Sequence, residues 1–240
     1  MVLDGHDPLN ENRKIGAALE DATGQLSAVS ESPRLDAELL LARSLDVARS
    51  YLFAHPEEPM DPGAVARFRE VLDKRVEGMP MAYITGEKEF WSMTLMVNPA
   101  TLVPRPDTET LVDQALTRIP RRAAMRIVDL GTGSGAVELA IARERPLFQV
   151  VATDISTDAL AVASLNAREL AIPNVEFVAG HWLEPLAERT FDLVVSNPPY
   201  VASDDPHLAA LRHEPASALA AGADGLDAIR EIAATAMAVL

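Results

Sequence analysis

From residue 126 onward, short apolar segments alternate with longer amphipathic ones, and this alternation constrains the fold more than any other feature. The apolar segments are typical of buried strands and the amphipathic ones of helices. Strands are predicted at 127–130, 150–154, 175–178 and 191–196, with helices at 136–145 and 157–170. Such alternation forms a parallel sheet with crossover helices, so we predict an α/β fold. Open α/β sheets bind their ligands at the carboxyl ends of the strands.

The first 86 residues contain no strand pattern and predict a small helical domain. After a loose terminus at 1–10, helices are expected at 11–26, from 32 onward, near 49–53, and from 61 until Gly78 and Pro80 stop the last one. Ser32 is the expected N-cap of the second helix, with Pro33 in its first turn.

In residues 87–103 the helical pattern of apolar residues gives way to a pattern typical of strands, which predicts a β-hairpin. Phe90 and Trp91 favour strands, and Asn98-Pro99 breaks the run. The hairpin is expected to link the helical domain at 1–86 to an α/β domain at 104–240. A further helix is expected to begin in the segment 104–109, with Asp107 or Thr108 as its N-cap.

The composition argues against several classes of function. The 240 residues carry a net charge of −15, whereas a non-specific nucleic-acid binder normally presents a basic face. Cysteine is absent, which excludes thiol catalysis and thiolate metal sites. The histidines show no ligand-like spacing, so no metal site is expected. With no apolar run near 18 residues and no signal-peptide pattern, we expect a cytoplasmic protein without a membrane partner.

A glycine-rich segment, Asp-Leu-Gly-Thr-Gly-Ser-Gly at 129–135, joins a predicted strand to a predicted helix. Glycines let the backbone approach a ligand closely, and Asp154, at the end of the next strand, can accept from two ribose hydroxyls. The pattern also fits G-x-G-x-x-[GA] through Ala136. Three interpretations therefore stay open: a site for NAD, a site for S-adenosyl-L-methionine, or a tight turn that binds no ligand. An acid two residues before the first glycine favours S-adenosyl-L-methionine.

The last predicted strand runs into Asn197, Pro198, Pro199 and Tyr200, the N-P-P-Y loop. Consecutive prolines cannot continue a strand. They instead hold the chain in a stiff, extended loop. Asn197 Oδ1 and the Pro198 carbonyl are two acceptors that suit an –NH2 group, and Tyr200 can pack against a planar group. The loop therefore predicts a site for a planar amine or amide, with a simple strand-terminating turn as the alternative. A dehydrogenase would leave this loop unexplained.

These residues resemble the release factor glutamine methyltransferases, the PrmC/HemK family. The likeness runs from Ser32 to the end of the chain. Beyond the two motifs above, it rests on Glu89-Phe90-Trp91, the Pro-Arg-Pro-Asp-Thr-Glu segment at 104–109, Asp205-Pro206-His207-Leu208, Glu214-Pro215 and Asp224-Gly225-Leu226.

The resemblance implies a class I methyltransferase domain with a Rossmann-like sheet, preceded by a helical domain of about five helices and a hairpin. It implies transfer of a methyl group from S-adenosyl-L-methionine to the side-chain amide nitrogen (N5) of the glutamine in the Gly-Gly-Gln motif of class 1 peptide chain release factors. A monomer that makes no direct contact with nucleic acid is expected.

The resemblance also implies roles for individual residues. The cofactor would be bound by Gly131, Thr132, Gly133, Ser134, Gly135, Asp154, Trp182 and Asn197. Catalysis is expected from Asn197, Pro198 and Tyr200, with Pro199 joining them in substrate binding. Trp182 would lie against the adenine, or else be a half-buried loop aromatic. His181 stands where the family often has an acidic residue.

Two other functions share some of these features. An adenine amino-methyltransferase would use the same N-P-P-Y loop, but it needs a basic groove with aromatic side chains. A protein-binding adaptor on a methyltransferase fold without activity would not need intact glycine and N-P-P-Y motifs.

The final helix, from about residue 225, leads in the family into another strand and a terminal hairpin. We therefore expect this chain to be a truncated form, in which the fourth strand lacks a neighbour.

Overall fold

The computed structural model describes residues 13–120, 124–186 and 188–240. The loose terminus expected at 1–10 lies outside the described residues. The chain divides between Ile84 and Thr85 into two compact units. Among the described helices, none is both long and apolar enough to cross a membrane.

The first unit is helical, as the sequence predicts. Its helices are α1 (Ile15–Leu26), α2 (Pro33–Leu45), α3 (Arg49–Ala54), α4 (Pro62–Val76) and α5 (Met81–Thr85). Leu19, Leu40 and Phe68 belong to its buried core. The sequence does not predict α5, because Gly78 and Pro80 act as stop signals and the single helical turn after them is too short to show a period.

The start of α2 differs from the prediction. Ser32 precedes the helix, but its side chain makes no capping hydrogen bond. The buried carboxylate of Asp36 instead accepts hydrogen bonds from Arg75 Nε at 2.9 Å and from Ser30 Oγ at 2.7 Å. This ion pair ties α2 to α4, and removing either partner would leave the other charge buried and uncompensated.

The second unit begins with a hairpin and continues as alternating strands and helices. Its elements are β1 (Glu87–Phe90), β2 (Met93–Met96), α6 (Glu109–Arg118), β3 (Arg126–Leu130), α7 (Ala136–Glu144), β4 (Gln149–Asp154), α8 (Thr157–Glu169), β5 (Val175–Ala179), β6 (Leu193–Ser196) and α9 (Asp227–Ala236). The strands and helices predicted from residue 126 onward are all present, with bounds that differ by at most two residues.

The hairpin is shorter than the predicted segment, because its second strand ends at Met96. Trp91 and Ser92 form the turn, with φ values of 50° and 54°. Two-residue hairpin turns of type I′ require such left-handed values. Neither residue is a glycine, and Glu109 Oε1 stabilises the turn by accepting a hydrogen bond from Trp91 N at 2.9 Å.

The predicted cap of α6 is absent. Pro106–Thr108 form a turn of 3-10 helix, and α6 follows directly from Glu109. Asp107 lies inside that turn, and the Thr108 side chain makes no capping hydrogen bond.

The four parallel strands form one sheet in the order β5-β4-β3-β6. Alternate residues of β3 point to opposite faces: Ile127 belongs to a core shared with α6, α7 and the hairpin, whereas Val128 belongs to a second core that includes Val239. Both faces are therefore covered, which explains the nearly continuous apolar character of the strands. The predicted α/β fold is confirmed. Within the described residues, β6 pairs with β3 alone.

Asn166 of α8 joins the hairpin to the loop that follows β3. Its Oδ1 accepts a hydrogen bond from Met96 N at 2.8 Å, and its Nδ2 donates to Met96 O at 3.0 Å and to Ser134 O at 2.8 Å. The side chain is 1% exposed. If the Asn166 side chain were removed, Met96 N, Met96 O and Ser134 O would each lose a hydrogen-bond partner in a place that water does not reach.

We expect Asn166→Asp to lower the free energy of unfolding by about 3 kcal/mol, because the carboxylate cannot donate to two carbonyls and is itself buried. Denaturant unfolding followed by circular dichroism measures this. Asn98→Asp is the matched control, since Asn98 is exposed and uses only its Oδ1, which accepts from Ala100 N. The control should stay within about 0.5 kcal/mol of wild type. Equal losses in both variants would contradict the prediction.

Candidate functional site

A cavity of about 360 Å³ lies at the carboxyl ends of the parallel strands. The strand order reverses at β3, which pairs with β4 on one side and β6 on the other. Ligands of open α/β sheets bind at such a switch point. Of the residues predicted from the sequence, the cavity is lined by Gly131, Thr132, Gly133, Ser134, Asp154, Trp182, Asn197, Pro198 and Pro199. Gly135 and Tyr200 are not among its lining residues.

The glycine loop, residues 131–135, is hydrogen-bonded to the end of β4. Gly131 N and Thr132 N both donate to Thr153 O, at 2.8 and 3.0 Å. Gly133 N donates to Asp154 Oδ2 at 2.9 Å, and Gly135 N donates to Thr132 O at 3.0 Å. Four of the five loop amides are thus already used within the protein, which leaves little for a phosphate to bind.

Gly135 packs behind the loop rather than facing the cavity. Its φ is +91°, and a Cβ there would lie 2.8 Å from Leu139 Cδ1 and 3.3 Å from Ala163 Cβ. Glycine is therefore needed for close packing of the loop against α7 and α8. At Gly133, where φ is +56°, a Cβ would meet nothing within 4 Å.

Asp154 has two functions in the structure. Its Oδ2 accepts from Gly133 N, and its Oδ1 accepts from Ser156 N at 2.8 Å. A carboxylate oxygen has a second lone pair, so Asp154 can shape the loop and still accept hydrogen bonds from a ligand in the cavity.

Trp182 lines the cavity beside the glycine loop. Its Cζ3 lies 3.1 Å from the position that a Cβ on Gly131 would take, and the φ of Gly131 is +79°, so both the close approach and the left-handed backbone favour glycine there. The buried Nε1 has no hydrogen-bond partner among the described residues, and its backbone φ is 45°. The neighbouring His181 ring is 5.3 Å from the indole between centroids, and His181 Nδ1 lies 3.2 Å from Glu231 Oε1 of α9. His181 and Glu231 both line the cavity.

The N-P-P-Y loop is anchored by two hydrogen bonds, one made by the residue that precedes it and one made by its first residue. Ser196 Oγ donates to Leu130 O at 2.7 Å, which fixes the end of β6 beside β3. Asn197 Nδ2 donates to Thr108 Oγ1 at 3.4 Å, which leaves Oδ1 free of donors among the described residues. This contact joins the N-P-P-Y loop to the Pro-Arg-Pro-Asp-Thr-Glu segment at 104–109. The sequence does not reveal this role of Thr108.

Tyr200 does not line the larger cavity. It is 62% exposed and lines a smaller cavity of about 90 Å³ together with Asn197, Pro198 and Arg105. The next residue, Val201, pairs with a distant segment: its N donates to Leu219 O and its O accepts from Ala221 N, both at 2.9 Å. This bridge ties the chain that follows Tyr200 to the segment around Ala220.

Arg105 and Glu214 form a site element that the sequence motifs contain without indicating a role. Glu214 is buried, and its carboxylate accepts from Val103 N at 3.0 Å and from Arg105 Nη2 at 2.5 Å. Arg105 lines both cavities. A guanidinium held on one side by a buried carboxylate can donate from its other nitrogens to an acceptor in either cavity.

A buried pair of carboxyls lies behind the glycine loop. Asp129, at the cavity floor, is 2% exposed, and Glu138 of α7 is 0% exposed. Burial raises the pKa of Asp129 to about 6 and raises that of Glu138 well above its usual value, and the Asp129 charge adds to the second shift. Thr132 Oγ1 donates to Glu138 Oε1. In sequence, Glu138 is only a charged residue within an apolar helix, so nothing marks its function.

No group of His, Cys, Asp and Glu in the described residues has the geometry to hold a metal ion.

Comparison with known proteins accounts for both units. The family model "PrmC N-terminal domain" matches residues 17–86, and "Methyltransferase small domain" matches 108–221. A release factor glutamine methyltransferase of Coxiella burnetii is 48% identical over 218 residues, which are 91% of this chain and 79% of the relative. This chain belongs to the release factor glutamine methyltransferase family.

Other members of the family show similar identity over a similar length. The release factor glutamine methyltransferase of Xylella fastidiosa (strain Temecula1) is 49% identical over 216 residues, covering 89% of this chain and 78% of its own length. That of Escherichia coli K12 is 45% identical over 210 residues, covering 87% and 75%. The resemblance that the sequence motifs predicted is confirmed.

We expect Gly133→Ala and Gly135→Ala to differ in stability. Both force a left-handed φ on alanine, which costs about 1 kcal/mol. Only Gly135→Ala also crowds Leu139 and Ala163, which adds about 2 kcal/mol. Thermal and denaturant unfolding of the two proteins measures the difference. Equal stability would mean that close packing does not require glycine at 135.

Proposed function

We propose that this chain transfers a methyl group from S-adenosyl-L-methionine to N5 of the glutamine in the Gly-Gly-Gln motif of class 1 peptide chain release factors. The observation that carries the proposal is the convergence of two motifs on one cavity. The glycine loop and Asp154 lie on one side, and Asn197 and Pro198 lie on the other. The names of its relatives favour a glutamine over an adenine as the methyl acceptor.

The residues present suit S-adenosyl-L-methionine better than NAD. The cavity volume falls in the range of about 300–1,000 Å³ that is typical of small-molecule sites. Its floor carries Asp129 and Asp154, which favour a cation and disfavour the two phosphates of NAD. The loop amides that would cradle a pyrophosphate are already hydrogen-bonded. We propose that residues 131–135 surround the methionine portion, that Asp154 binds the ribose, and that Trp182 packs against the adenine.

Within the proposed mechanism, the protein's task is to position the amide. The bound cofactor supplies a methyl group carried on a sulfonium. A carboxamide nitrogen is a weak nucleophile because its lone pair is delocalised into the carbonyl. We propose that Asn197 Oδ1 and the Pro198 carbonyl accept its two N–H bonds, increase the electron density on nitrogen and aim it at the methyl group. Thr108 orients Asn197 for this by accepting from its Nδ2.

No lysine lines the cavity in the described part of the chain, and the histidine there, His181, stands at the Trp182 end. In the proposal, positioning alone activates the amide, and the proton leaves to water after methyl transfer. Pro199 completes the wall beside Asn197. Tyr200 and Arg105, which line the smaller cavity, would contact the substrate chain where it approaches.

We further propose that the helical domain at 1–86 contributes contacts to the release factor away from the glutamine, with the hairpin at 87–103 as linker and the catalytic domain at 104–240. The protein would act as a monomer in the cytoplasm, without nucleic acid or membrane as partner. A short Gly-Gly-Gln peptide should then be methylated far less efficiently than the intact factor, and equal kcat/KM for the two would refute this role.

We expect calorimetry to show binding of S-adenosylmethionine and S-adenosylhomocysteine but not of NAD. Asp154→Ala should weaken binding by about 1.5–3 kcal/mol, the usual effect of losing hydrogen bonds to a charged group. Asp158→Ala, an exposed acid at the start of α8, is the control and should bind normally. Tight NAD binding with no response to S-adenosylhomocysteine would overturn the assignment of the cofactor.

We expect Asn197→Ala to reduce single-turnover methylation of release factor by on the order of 10²–10³-fold, the usual loss when an oriented catalytic hydrogen bond is removed. Asn197→Asp keeps the shape but adds a charge near the sulfonium, so turnover should fall while cofactor affinity is maintained or increases. Labelled methyl groups should appear on release factor and not on DNA. Normal turnover by a folded Asn197→Ala protein would return the N-P-P-Y loop to the role of a strand terminator.

A further inference from the structure

The buried carboxyl of Glu138 has no role in the proposed mechanism, where its neighbour Asp129 serves only as a negative charge on the cavity floor. Asp129, the penultimate residue of β3, lines the floor of the cavity, and Glu138 lies in the first turn of α7, directly behind the glycine loop. Each of the two carboxyls perturbs the pKa of the other, which makes them close neighbours. In the described part of the chain, neither forms an ion pair with a basic side chain. Two ionised carboxylates in this position would repel each other without compensation.

The hydrogen bonds around Asp129 and Glu138 show that one proton is enough to satisfy both carboxyls. Glu138 Oε1 accepts from Thr132 Oγ1. Asp129 Oδ1 and Glu138 Oε2 are buried and have no donor among the described residues. A single proton on Glu138, donated to the Asp129 carboxylate, removes one of the two charges and gives the carboxyls a hydrogen bond between them.

We propose that Glu138 is a positioning residue for the cofactor site. It holds one proton against Asp129, which keeps Asp129 ionised and facing the cavity, and its other oxygen fixes Thr132 of the glycine loop. The pair then presents one negative charge to a cationic ligand. This inference rests on the proposed function, because the ligand with a sulfonium and an ammonium group is S-adenosylmethionine.

The charge of the pair changes in an accessible pH range. Burial raises the pKa of Asp129 to about 6, and the nearby Asp154 of β4 contributes to the shift. Below that pH the Asp129 carboxylate gains a proton and its attraction for a cation is lost. The free energy of unfolding responds in the opposite direction. A carboxyl whose pKa is higher in the folded state contributes stability at low pH, and this contribution is lost as the pH rises through the folded pKa. Weaker binding at low pH is therefore distinguishable from acid unfolding.

The test is calorimetric binding of S-adenosylmethionine to the full chain between pH 7.5 and 5.0. Wild type should bind about tenfold more weakly at pH 5.0, as expected for a group with a pKa near 6 that must be ionised. Glu138→Gln should keep both the affinity and the pH profile, because its amide donates to Asp129 and its oxygen accepts from Thr132. Glu138→Leu, which cannot donate, should bind at least tenfold more weakly at pH 7.5, with the loss of affinity on acidification beginning at a higher pH.

Two controls complete the design. Asp129→Asn should bind weakly with a flat profile between pH 5.0 and 7.5, and this variant decides the matter if Glu138→Leu fails to fold. His181→Asn removes the histidine that also lines the cavity, next to Glu231, and should keep the wild-type midpoint.

A Glu138→Leu protein that binds as wild type does, a Glu138→Gln protein as weak as Glu138→Leu, or an Asp129→Asn protein that keeps the wild-type pH profile would each overturn the inference. If wild type binds S-adenosylmethionine with an affinity that does not change with pH, this inference fails while the proposed function stands. If wild type does not bind it at all, the proposed function fails.

Discussion

The structure of the catalytic unit depends on the pairing of β3 with a parallel strand on each side. Because β4 and β6 both align with it, the carboxyl ends of three strands meet at one edge of the sheet. The glycine loop follows β3, Asp154 ends β4, and Asn197 follows β6. Residues that are far apart in sequence therefore face one cavity without any of them needing an unusual conformation of its strand. Burial of both faces fixes the register, since a slip by one residue would exchange the two cores.

The glycine loop illustrates how the same sequence pattern can serve different ligands. In a dinucleotide-binding protein the amides of such a loop point at phosphates. Here they donate to Thr153 O, to Asp154 and to the loop itself. The glycines thus give the loop its shape and let Trp182 approach Gly131, while the charge at the cavity floor is supplied by carboxylates. This difference in the use of backbone amides, rather than the spacing of glycines, separates the two readings of the motif.

The sequence predicts the elements and most of the site, because hydrophobic period, prolines and glycines act locally. The strands from residue 126 onward, the helices of the first unit other than α5, and the meeting of the glycine and N-P-P-Y loops all follow from such signals. What it misses depends on contacts between distant residues. Ser32 does not cap α2, Val201 pairs with the segment around Ala220, and Gly135 serves packing against α7 and α8. Glu138 lies in an apolar helix whose pattern does not reveal the carboxyl behind the loop.

The last helix, α9, has a consequence for the dynamics of the site. Its Ala228 and Glu231 line the cavity, yet it is amphipathic and only Ala228 along its length is buried. Beyond its end, Val239 O accepts from Phe191 N at 2.7 Å and the Val239 side chain enters the core. A helix with so little buried surface opens locally at a lower free energy than the sheet does. Because opening would remove one wall of the cavity, an occupied cavity and a closed α9 stabilise each other, and a ligand suppresses the fraying of this helix by a free energy that grows with the logarithm of its concentration relative to its Kd.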